Sequence, residues 1–103
     1  MKYIESVEQY GGIILQEWLS NDGFTFIVSE HDEKFHISIE NKQGFCITGC
    51  LYERFINKYH DKYNITFEGA MPPTIRCKKS DLEVVMKLLE SMDKNNLYFD
   101  DVR

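Results

Sequence analysis

Strict alternation of apolar and polar positions runs through Phe35–Glu40, with Phe35, Ile37 and Ile39 on one side and His36, Ser38 and Glu40 on the other. A period of two marks a strand with one buried and one solvated face. Upstream, Phe24, Phe26 and Val28 alternate with Thr25, Ile27 and Ser29, and apolar atoms on both sides suit a central strand spanning Phe24–Glu30. The polar stretch His31-Asp32-Glu33-Lys34 joins the two as a hairpin. Asn41-Lys42-Gln43-Gly44 reads as a second turn and Phe45-Cys46-Ile47 as a short third strand. Ile65 and Phe67 mark a fourth strand closed by Gly69, and Thr74–Lys78 a fifth, after Pro72-Pro73 has blocked helix.

Helical spacing occurs in three places. Ile4, Val7, Tyr10 or Gly11, Ile14, Leu15, Trp18 and Leu19 recur in steps of three and four, Ser6 with Gln9 offers a capping box, and Asn21-Asp22-Gly23 supplies a stop. Gly11-Gly12 opposes this reading, since each glycine in a helix interior costs about 1 kcal/mol relative to alanine. A first helix is favoured, with Ile13–Leu19 left open as a strand. The second helix follows Thr48, a candidate N-cap, and carries the stripe Leu51, Tyr52, Phe55, Ile56, Tyr59 and Tyr63, running to Lys62. For the third, Ser80-Asp81-Leu82-Glu83 forms a capping box and Leu82, Val85, Met86 and Leu89 the buried stripe. The tail from Leu97 to Arg103 begins with three apolar residues and is expected to dock. The order α-β-β-β-α-β-β-α predicts one α+β domain over residues 1–103: an antiparallel sheet of five strands with helices packed on one face.

At 103 residues, large rings such as Trp18, Phe26, Phe55 and Phe67 can close a core without disulfides. Cys46, Cys50 and Cys77 cannot all pair within one chain, and no secretory signal opens the sequence, so they read as reduced thiols in the cytoplasm. No run approaches the roughly 18 apolar residues of a membrane span. The spacing of Cys46, Cys50 and Cys77 lacks the paired knuckles of a zinc site, so neither a metal nor another cofactor is expected.

Charge changes the picture more than composition does. Residues 1–50 hold eight acids against three bases, while residues 51–103 hold nine of each, so the whole net charge of −5 sits in the first half. Such a field steers a basic partner and disfavours direct nucleic-acid binding, which rests on phosphate neutralisation. The candidate contact residues are Asp22, Glu30, Asp32, Glu33 and Glu40, read as one patch around the hairpin, with Asp100 and Asp101 extending it if the fold brings them near. His31, His36 and His60 have no nucleophile or fixed carboxylate at a diagnostic spacing, so no catalytic residues are assigned. Arg76, Lys78 and Lys79 lead into the last helix, whose positive end Asp81 and Glu83 already complement.

In general build, in the acidic first half and in the Glu30–Glu33 turn, the chain resembles the small acidic immunity proteins of bacterial toxin systems, including those of contact-dependent growth inhibition. That resemblance implies cytoplasmic neutralisation of a basic toxin, often a nuclease, by covering its active site. Two alternatives stand beside it. One is a phage-encoded inhibitor of a nucleic-acid-binding defence protein. The other is a small enzyme or ligand-binding domain using His36 or His60.

Overall fold

In the computed structural model, residues 1–8, 14–70 and 72–98 are described. The chain forms β1 (Lys2–Glu8), β2 (Ile14–Leu19), β3 (Thr25–His31), β4 (Lys34–Glu40), α1 (Thr48–Tyr59), β5 (Thr66–Glu68), β6 (Thr74–Lys78) and α2 (Leu82–Ser91). All six strands belong to one sheet in the order β1-β2-β3-β4-β6-β5, and every pairing is antiparallel. The α+β class holds, with six strands rather than five and two α-helices rather than three among the described residues.

The difference lies at the start, where a hairpin replaces the expected first helix. Trp18 stands opposite Phe26, while Leu15 and Leu19 stand opposite Ser29 and Thr25 on the other face. Apolar residues on both faces of β2 had imitated a helical stripe. Gly11-Gly12, the weak point of a helix, falls between the strands and outside the described residues, as does Gln9 of the proposed capping box. The expected third strand is only a single bridge between Glu40 and Cys46.

Cross-strand pairs share a face, so the register fixes which side chains meet. Phe26 faces Ile39, Val28 faces Ile37, Ile37 faces Ile75, and Phe35 faces Cys77. This side of the sheet meets Leu51 and Phe55 of α1 and Val85, Met86 and Leu89 of α2 in one buried cluster. Both helices therefore lie on the same face. Full burial of each such side chain is worth about 1.5–3 kcal/mol, before ordering costs.

The helix ends depart from their sequence signals. Thr48 lies inside α1, and its Oγ1 accepts from the Ile39 backbone N–H at 2.9 Å, extending the ladder where β6 no longer pairs with β4. No side chain caps α1. A 3₁₀ turn over Lys79–Asp81 leads into α2, and there too no side-chain cap bond forms. Helix α1 stops at Tyr59 because His60 adopts φ 56°, its N–H still reaching the Ile56 carbonyl at 2.7 Å.

Lys94 fastens the sheet to the segment after α2. Its side chain is 1% exposed, and Nζ donates to Asp22 Oδ2 at 2.9 Å, to the Glu90 carbonyl at 2.7 Å and to the Met92 carbonyl at 3.3 Å. The ammonium also lies 5.4 Å from the Phe24 ring centre and 6.0 Å from that of Phe26, within cation–π reach. A buried ammonium is tolerated when its donors are met. The tail continues along α1: Arg54 Nη1 donates to the Asp93 carbonyl, Cys50 Sγ donates to that of Tyr98, and Leu97 packs half-buried against the core.

Removing the Lys94 ammonium strands the Glu90 and Met92 carbonyls and opens a void. Lys94→Ala is expected to lose about 2–3 kcal/mol in urea unfolding. Asp22→Asn, which keeps the packing and alters a partly exposed group, is expected to lose less than about 1 kcal/mol. The two-residue hairpin turn between β3 and β4 places Asp32 at φ 54° and Glu33 at φ 62°, where Asn-Gly would be favoured. Glu33→Gly should therefore raise stability by about 1 kcal/mol, read as a shifted denaturation midpoint with unchanged slope.

Candidate functional site

The acids singled out in the sequence do not gather on one face. Asp22 sits in the turn between β2 and β3, bonded to the Ser20 hydroxyl and to Lys94. Burial alone would raise its pKa, but those two partners prevail and hold the carboxyl below its usual value. Glu30 lies near the end of β3 on the helix side of the sheet and pairs with Lys79. Asp32 reaches His31 at 3.2 Å, while Glu33 is exposed in the same turn with no ion pair to a described residue. Glu40 stands at the other end of β4, six residues and roughly 20 Å from the hairpin tip. Alternation and strand length explain the separation: a seven-residue strand carries its two ends to opposite edges of the domain. Asp100 and Asp101 lie outside the described residues.

The structure instead brings Glu40 together with two acids that sequence reasoning passed over. On the face of the sheet without helices, Glu5 stands directly opposite Glu17, Glu17 opposite Ile27, and Ile27 opposite Ser38. Glu40 lies one pair further on, opposite Thr25. Burial raises the Glu40 pKa above its usual value, and the nearby charge of Glu17 raises it further. Neither Glu5, Glu17 nor Glu40 makes an ion pair with a described residue. Like charges set opposite each other on neighbouring strands are destabilising. The signal for this site was the alternation of Leu15, Glu17 and Leu19, which a strand over residues 14–19 turns onto one face.

The far end of that face is basic. Lys34 stands directly opposite Lys78, and His36 opposite Arg76. Arg76 is paired with Glu68, yet its Nε is buried without an acceptor among the described residues. His36 is only 6% exposed and donates from Nε2 to the His31 carbonyl at 3.1 Å. Burial depresses its pKa, and the charges of Arg76 and His31 act in the same direction, so the ring is neutral at pH 7. His60 is exposed at the end of α1. A cleft of about 570 Å³ beside Trp18, Leu82 and Met86, and one of about 380 Å³ beside Asp22, Asn41 and Lys94, are lined by neither His36 nor His60.

Among the described residues no group of three His, Cys, Asp or Glu side chains could hold a metal ion. Burial, with the charge of Asp81 adding to it, pushes the Cys77 thiol up to about 11, so it stays protonated at neutral pH. No helix among the described residues is long and apolar enough to cross a membrane.

No family model matches the chain, and no solved structure matches it. Over 67 residues, 62% of this chain, the sequence is 36% identical to a protein of Mycoplasma pneumoniae described as an uncharacterized MG349 homolog. The matched stretch is 16% of that relative, so the chain corresponds to a small part of a much longer polypeptide.

A raised Glu40 pKa means that the folded chain holds the proton more tightly than the unfolded one. Its contribution to stability therefore falls as pH rises above the usual value of 4.5. Glu17→Gln removes one charge of the row and should raise the unfolding temperature at pH 7, by less than about 1 kcal/mol in stability. Thermal melts between pH 7 and pH 4 should show that gain shrinking as the carboxylates protonate.

Proposed function

We propose that the chain is a binding protein of the immunity or inhibitor type, which docks a basic protein and blocks its active site. A toxin nuclease is the target that its resemblance suggests. One observation carries this reading: Glu5, Glu17 and Glu40 share a face that neither helix covers, without counter-ions among the described residues and at a cost to the fold. Residues held against stability are expected where a function needs them. A nuclease presents positive charge to its substrate, and a row of carboxylates on a rigid sheet can occupy that groove. Complementary charge of this kind acts mainly on the rate of association, and the net charge of −5 adds long-range attraction. Glu33, exposed on a strained turn, and Asp32 beside it form a smaller acidic element at the hairpin tip.

A binding rather than catalytic role also agrees with the histidines. His36 is spent on a backbone bond, its ring neutral and nearly covered, and neither it nor His60 lines the clefts described above.

The experiment is to capture the basic partner on the immobilised chain and follow its association by stopped flow over a salt series. Glu17→Lys with Glu40→Lys should slow association at least about tenfold and flatten its salt dependence. Asp32→Lys with Glu33→Lys should slow it less. Unchanged kinetics in the first pair, with the fold intact by circular dichroism, would remove the uncovered face as the docking site.

A further inference from the structure

The face that neither helix covers carries two charge clusters of opposite sign. Glu5, Glu17 and Glu40 form one, net acidic with Lys2 at its edge opposite Leu19 and without ion pairs to described residues. Lys34 and Lys78, directly opposed and without ion pairs to described residues, form the other, with the His36–Arg76 pair beside them. The anions close to the basic end are Asp32, engaged with His31, Glu68, engaged with Arg76, and Glu33 in the turn. By register, Glu17 and Lys34 are two strands apart, roughly 10 Å, and four residues apart along the strand, roughly 13 Å. Ser29 on β3 lies midway between them, with half-buried Leu15 and nearly covered His36 directly opposite it and Ile27 and Ser38 in the next pair on the same face. None of these side chains is exposed, so none of them holds a second surface away.

A face negative at one end and positive at the other is complementary to a copy of itself. A two-fold axis lying in the interface, over Ser29 and perpendicular to the line joining the clusters, sets Glu17 of each copy against Lys34 of the other. The strands of the two sheets then cross steeply, as in orthogonal sheet packing. We propose that two copies of this chain close face to face on this surface as a symmetric dimer, the acid row of each covering Lys34 and Lys78 of the other. The face measures roughly 24 Å by 20 Å, or about 500 Å² per copy, which places the contact among small, transient interfaces. The dimer uses the same carboxylates that would dock a basic partner, so such a partner must open it; that step rests on the functional reading, whereas the dimer itself does not.

Sedimentation equilibrium over a concentration series, at low and high salt, tests the dimer on the whole chain. The wild type should dimerise reversibly at low salt and dissociate as salt rises. Lys34→Glu with Lys78→Glu makes the face wholly acidic, and Glu17→Lys with Glu40→Lys makes it mostly basic. Each variant alone should be monomeric, and an equimolar mixture should form a heterodimer tighter than the wild-type dimer. A wild type that stays monomeric at every concentration in low salt, or variants that self-associate as the wild type does, would overturn the proposal. Slowed partner capture by the Glu17→Lys, Glu40→Lys variant alongside a monomeric wild type would spare the docking reading while ending this one. Unchanged capture alongside the expected heterodimer would do the reverse.

Discussion

Among the described residues, two helices cover one face of a six-stranded sheet, and strand alternation then sends every second residue of that sheet to a side that neither helix covers. Most of what is chemically distinctive here follows from that constraint. The covered side is apolar where it must be, with Phe26, Ile37, Ile39 and Ile75 fully buried beneath α1 and α2. The other side holds charges that an apolar second layer would make intolerable, among them Glu17 opposite Glu5 and Lys34 opposite Lys78. On an open face, water screens part of this repulsion, so the sheet survives it.

Asp22 and Glu30, by contrast, serve the fold. Asp22 belongs to the Lys94 clamp, where one buried ammonium gathers the β2–β3 turn, the end of α2 and the segment after it. Glu30 secures the entry to α2 through Lys79. These contacts convert two of the five acids read as one patch into cross-links within the domain. The charge that remains available to a partner is therefore smaller than the count of acids suggests, and lies elsewhere on the molecule.

Much of the architecture was legible in the sequence. The strands β3, β4 and β6 and both helices announce themselves by period, because each has one face committed to the core. The first hairpin did not, for a physical reason: β2 carries Leu15 and Leu19 on the open face and Trp18 on the covered one, so its apolar residues follow no single period. On a helix Glu5 and Glu17 have no fixed relation to Glu40, and only the pairing of β1, β2, β3 and β4 brings the three onto one face. The basic partners of Asp22 and Glu30 were equally hidden, as Lys94 and Lys79 lie far along the chain. Ion pairing across such distances is a property of the fold, not of local spacing.

The central claim is that Glu17 and Glu40 share the helix-free face of the sheet as neighbouring carboxylates without an ion pair to a described residue. Site-resolved NMR titration of the Glu40 side-chain carboxyl addresses it most directly, in the wild type and in a Glu17→Gln background. The account requires a Glu40 pKa above the ordinary 4.5 that drops towards that value when the Glu17 charge is removed. A Glu40 that titrates at or below the ordinary value, and does not respond to Glu17, would contradict it.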